Sequence, residues 1–201
     1  MSGSSLQQSG GRPPIAPLDE FIRRFTEQRG EIHFAKDRAE IIALVNSLVK
    51  SKGNGLSCVV PSLVVEFHGS VEEISSSIQT TAKFSEFQEN PIKIARDLDI
   101  GITKAPFAVA ETGTIVDISY SDEERLLSSI SRVHISILNS PAVLPKLQDL
   151  VPKIRELLSH PEKTKPSITF IGGPSRTSDI ELKSVIGVHG PHEVHVVVYG
   201  T

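Results

Sequence analysis

Two short stretches carry residues whose types and spacing suit chemistry. One is Ala110-Glu111-Thr112-Gly113-Thr114: a carboxylate, two hydroxyls and a glycine where two strand-like runs meet, Phe107 to Ala110 and Thr114 to Ile118. Apolar flanks predict that Glu111 is at least partly buried, and a buried carboxylate needs partners or takes up a proton. Glu111 is therefore a candidate general base, nucleophile or ligand anchor. The alternative is a structural glutamate accepting backbone N–H groups. Gly113 permits positive φ or a close backbone approach.

The second stretch runs from Thr169 to Pro191. Ser167 to Ile171 reads as a buried strand, and Gly172-Gly173-Pro174 forces a turn. Ser178-Asp179-Ile180-Glu181 has the pattern of a capping box, so a helix is expected to start there. Strand, glycine loop and helix N-terminus together aim free backbone N–H groups at a small anion. Gly173, Ser175, Arg176, Thr177 and Ser178 are the expected contacts, with Arg176 supplying the charge. The competing reading is a structural turn with a solvated arginine. The stretch closes with Gly187-Val188-His189-Gly190-Pro191. His189 is a candidate proton donor facing the same cleft, with Gly190 beside it; loop bracing is its alternative role.

The elements that must position these residues read as alternating helices and strands. Helices are expected from Leu18 to Arg29, after Asp37 as N-cap, after Ser121 as N-cap, and from Pro141 to Ser159, the last kinked or divided by Pro152. Strands are expected at Glu31 to Ala35, Ser57 to Val60, Val133 to Leu138 and Glu193 to Tyr199. A short helix near Val71 to Ile78 and one or two helical turns within Ile92 to Leu98 are weaker signals. His160 to Pro166 reads as a linker. The alternation predicts a layered α/β domain.

Composition sets bounds. The chain has 201 residues, 38% hydrophobic and 22% charged, enough for one core. Residues 1–14 read as a disordered tail and residues 15–201 as a single domain. A net charge of −3 without a long basic run disfavours nucleic acid. No apolar run reaches the roughly 18 residues of a membrane span. The one cysteine, Cys58, cannot form an intrachain disulfide or alone hold an iron–sulphur cluster; a reducing cytoplasm fits. His189, His192 and His195 invite a metal reading, but Gly190-Pro191 interrupts them and no carboxylate or cysteine motif completes a set. No metal is expected. His134 reads as a packed strand residue.

Three pieces in this order resemble the lactate-utilisation (LUD) domain family in its LutC/YkgG branch: Ala110 to Thr114, Gly173 to Glu181, and Gly187 to Pro191, with Gly101-Ile102-Thr103 ahead of them. The resemblance spans roughly Leu18 to Tyr199. It implies a three-layer α/β/α sandwich similar to the NagB/RpiA/CoA transferase-like fold. It also implies a cytoplasmic role in oxidising L-lactate to pyruvate beside iron–sulphur partner proteins, with no cofactor bound by the chain itself. By analogy with CoA transferases, which use a glutamate nucleophile beside a glycine, Glu111 matches the place of a nucleophile. The lead expectation is a binding or assembly subunit with its cleft at the strand C-terminal ends, floored by Glu111, Thr112 and Gly113 and walled by Arg176 and His189, with Thr114 and Gly190 as further expected ligand contacts. The alternative is a stand-alone acyl-transfer or isomerase-type enzyme using Glu111 and His189.

Overall fold

The computed structural model describes residues 16–53, 55–63, 76–78, 80–82, 84–90, 96–159, 165–178, 184–186 and 190–200; for 87, 176–178 and 184–186 it describes the backbone alone. The expected helix at 71–78 falls mostly outside them, as do residues 1–14, 92–95, 160–164, 179–181 and 187–189.

The larger sheet has five parallel strands in the order β1-β11-β6-β3-β2. These are β1 (Glu31–Ala35), β2 (Leu56–Val59), β3 (Leu98–Ala105), β6 (Val133–Asn139) and β11 (Glu193–Tyr199). Parallel strands are covered on both faces, hence the nearly unbroken apolar run Val194 to Val198. Helix α1 (Pro17–Glu27) lays Phe21 and Phe25 on one face, against Val194, Val196, Val198 and Leu138. Helix α2 (Arg38–Ser51) lays Ile41, Val45 and Val49 on the other, with Ala35, Ile135, Ile137 and Val197. The architecture is α/β, as the sequence predicts.

Beyond the α1 face lies a four-stranded mixed sheet, ordered β7-β4-β5-β8. It comprises β4 (Phe107–Val109), β5 (Thr114–Ser119), β7 (Val143–Leu144) and β8 (Ser167–Ile171). β4 and β5 are an antiparallel hairpin turning through residues 110–113. β8 is an edge strand, not the buried one expected: Phe170 is 46% exposed. A third, two-stranded sheet pairs β9 (Arg176–Ser178) with β10 (Ser184–Ile186). The remaining described helices are α3 (Phe84–Glu89), α4 (Asp122–Ser129) and α5 (Val151–Leu158).

Local signals worked where both partners are neighbours in sequence. Asp37 accepts the Glu40 amide at 2.9 Å and the Glu40 carboxylate accepts the Lys36 amide at 2.8 Å. Ser121 and Glu124 repeat the arrangement at α4. Asp37→Ala should cost about 1 kcal/mol, read as a lower urea midpoint with an unchanged slope. The single helix expected from Pro141 to Ser159 is instead two 3-10 turns, the short strand β7, and α5. Val143 and Leu144 pair with Ala108 and Val109, so tertiary pairing overrides the helical spacing there. Pro152 sits in the first turn of α5, where its missing N–H costs nothing, so no kink arises.

Candidate functional site

The three motif segments meet, but not where open α/β sheets usually hold ligands. The β4–β5 hairpin brings residues 110–113 to the point where α1 hands over to β1. There the Gln28 amide donates to the carbonyls of Thr112 and Gly113 at 3.1 and 3.0 Å. Gly173 presses on the Gln28 backbone: a Cβ at Gly173 would lie 2.5 Å from the Gln28 carbonyl oxygen. The Ser175 amide donates to the Pro191 carbonyl at 2.8 Å, and a Cβ at Gly190 would touch Ser175. Gln28 precedes β1 and Pro191 precedes β11, so the cluster lies at the N-terminal end of the parallel strands. The expected position at the C-terminal ends is thus corrected.

Both loop glycines have left-handed φ, +62° at Gly113 and +141° at Gly173. The turn's amides are largely spent within the fold. Ala110 N–H donates to Leu144, Glu111 N–H to Pro145, and Gly113 N–H to Ala110. Thr112 and Thr114 join hydroxyl to hydroxyl at 2.6 Å, half-buried beside the turn. Glu111 is exposed rather than buried, and its carboxylate accepts the Leu147 amide at 3.0 Å, at the start of a 3-10 turn. Arg176, Thr177 and Ser178 form a strand whose register runs Ile186↔Arg176, Val185↔Thr177 and Ser184↔Ser178; the helix expected from Ser178 onward lies outside the described residues. The β-branched Thr177, Val185 and Ile186 suit strands.

Behind the turn is a buried polar row. His134, on β6, is fully buried and sits 2.8 Å from the Thr103 hydroxyl, which donates on to Ser136 at 3.4 Å. Its Nε2 therefore donates, and Nδ1 has no partner among the described residues. Burial, aided by the nearby His195, pushes His134 down to about 3, so the ring is neutral. The packed reading of this residue stands. Asp117 on β5 is buried with Oδ2 unpartnered, and burial pushes its carboxyl up to about 6 against a Ser128 hydrogen bond.

A second cluster, absent from the sequence reading, lies at the same end of the sheet on the α2 face. His33 Nε2 faces His195 Nδ1 at 3.1 Å, and Glu31 reaches the same nitrogen of His195 at 3.4 Å. His195 Nε2 lies 3.2 Å from Glu193, which is also paired with Lys52 at the end of α2. The two rings stack with centroids 5.3 Å apart. Burial, then the neighbouring His195, lowers His33. Of the histidines weighed from sequence, His195 belongs to this group and His192 does not, while His189 lies outside the described residues. The period-2 spacings Glu31-x-His33 and Glu193-x-His195 were the one local signal.

Residues 18–199 match the LUD domain, and the chain belongs to the LUD domain family. Its relatives place it in the LutC/YkgG branch. It is 28% identical over 193 residues to lactate utilization protein C of an Exiguobacterium species, covering 90% of this chain and 83% of that one. To lactate utilization protein C of Bacillus subtilis it is 34% identical over 103 residues, 51% of this chain and 43% of that one. Among solved structures, a DUF162 family protein from Deinococcus radiodurans shares the fold at a TM-score of 0.56 and 20% identity, covering 93% of this chain and all of that one. No helix among the described residues is long and apolar enough to cross a membrane.

Proposed function

We propose that this chain acts in lactate utilisation as a C-type subunit, binding a small carboxylate or phosphate where residues 111–114, 172–175 and 190–191 converge. The supporting observation is that convergence: three segments far apart in sequence are drawn to one spot, two of them by glycine contacts too close for a side chain and the third by the hydrogen bond from Ser175 to Pro191. The relatives' names supply the metabolic setting. Because the turn amides are engaged, the charge of Arg176 and the hydroxyls of Thr112 and Thr114 carry recognition in this reading, with His189 as a further hydrogen-bond donor. Glu111, already holding Leu147, acts as a brace rather than a nucleophile. Electron transfer belongs to iron–sulphur partners: the only thiol, Cys58, is buried and pushed up to about 12, which keeps it protonated.

Thermal shift against L-lactate, pyruvate and inorganic phosphate tests the site. A ligand at a hundred times its Kd adds about 2.7 kcal/mol, a rise of roughly 5 °C or more for a chain of this size. Arg176→Ala should remove that rise. Equal responses in wild type and variant, or none in either, would end the anion reading. Failure to co-purify with iron–sulphur proteins from a lactate-grown host would count against the assembly reading.

A further inference from the structure

We infer that Glu31, His33 and His195 form a binding site for one divalent first-row transition ion of the zinc type. The inference is independent of the anion site. One donor atom from each of the three residues falls within 4.8 Å of the others. A tetrahedral ion with ligand distances of about 2.1 Å has donor–donor edges of about 3.4 Å. The His33–His195 separation of 3.1 Å and the His195–Glu31 separation of 3.4 Å are close to such edges. Two imidazoles and a carboxylate suit zinc, cobalt or nickel, whereas calcium and magnesium prefer all-oxygen shells.

The surroundings have the form of a metal site's outer shell. Metal-bound histidines commonly donate their second ring N–H to a carboxylate, which fixes the tautomer. Glu193 stands in that place for His195 Nε2, and Lys52 pairs with Glu193. With His195 protonated on Nε2, its Nδ1 offers a lone pair, which His33 Nε2–H meets at 3.1 Å. Binding requires only that the His33 proton move from Nε2 to Nδ1. Two carboxylates against one ammonium leave the neutral-ring cluster net negative, which favours a cation.

The site is rigid on one side and open on the other. His195 is 1% exposed in the second strand of the sheet, while Glu31, on the edge strand, keeps 58% of its side chain exposed. Three protein ligands with an exposed flank leave a coordination position for water or a small ligand, the arrangement that distinguishes open sites from closed structural ones.

Titrating the chelator-treated full chain with Zn2+ and Co2+ by calorimetry, with visible absorption for Co2+, tests this. One equivalent should bind, with a cobalt d–d band, and Ca2+ at the same concentration should not compete. Glu31→Gln and His33→Gln should each weaken Zn2+ binding tenfold or more. Glu193→Gln should weaken it about tenfold through ring positioning. His192→Ala should bind as wild type. His195→Ala is avoided because it hollows the core; circular dichroism checks that the two ligand variants fold. Absence of stoichiometric uptake, or Glu31→Gln and His33→Gln binding like wild type, overturns the proposal.

Discussion

Gly101→Ala should lower the unfolding free energy by about 3 kcal/mol, one of the largest single effects available in this chain. A Cβ at Gly101 would stand 2.0 Å from the Leu127 carbonyl oxygen and 3.0 Å from the Ser131 hydroxyl. Leu127 lies in the last turn of α4, packed against β3, and Ser131 just beyond it; the Leu127 atom is backbone, so a rotamer change cannot relieve the clash. The helix must move off the sheet. Gly53→Ala makes the contrast: no atom lies within 4 Å of its Cβ, and only its φ of +97° opposes a side chain, at roughly 1–2 kcal/mol. Denaturant unfolding of both variants reads the difference. Equal losses would mean that helix contact at Gly101 is not what the glycine serves. The Gly101-Ile102-Thr103 segment therefore owes its glycine to helix packing.

Asp117→Asn should stabilise the protein at pH 8 by about 1–3 kcal/mol, and the gain should vanish by pH 4. The folded carboxyl titrates near 6, above its ordinary 3.8. The folded state thus holds that proton more tightly than the unfolded chain. Asp117 carries no penalty below about 3.8; the penalty grows as pH rises to about 6 and is complete above it. An interval of about two pH units corresponds to about 3 kcal/mol, of which the amide recovers part while keeping the shape. His134 works in the opposite direction. With its folded value lowered to about 3, it favours the folded state above the ordinary 6.5, and that advantage drains away as pH falls. Comparing variant with wild type at each pH cancels the histidine. A gain that is the same at pH 4 and pH 8 would show that Asp117 is not the buried, strained acid described.

These residues also show what a sequence reveals. Asp37 and Ser121 were legible as caps because each partner lies three residues away. The Phe107–Ile118 hairpin was legible from two apolar runs around Gly113. Glu111 differs from its sequence reading: Ala110 and Gly113 on either side are buried, and within the turn only Glu111 is exposed, its carboxylate turned outward to the Leu147 amide. The His33–His195 pair, 162 residues apart, was beyond any local pattern; only the register of β1 against β11 brings it together. Residues 111–113, 173–175 and 190–191 do lie together, while Arg176's side chain and His189 lie outside what is described; the end of the sheet they occupy follows from Gln28 preceding β1 and Pro191 preceding β11, a placement no local pattern carries.

The place of β1 has a consequence for how the molecule is made. In the larger sheet its only neighbour is β11, which also stands between it and β6. On the ribosome, β1 therefore waits unpaired while the next 150-odd residues are synthesised, and the sheet gains its first edge only after Tyr199 has been added. Until then Ile32 stays available to holding chaperones, and a chain stalled before Val194 is a substrate for quality control rather than a shortened working protein.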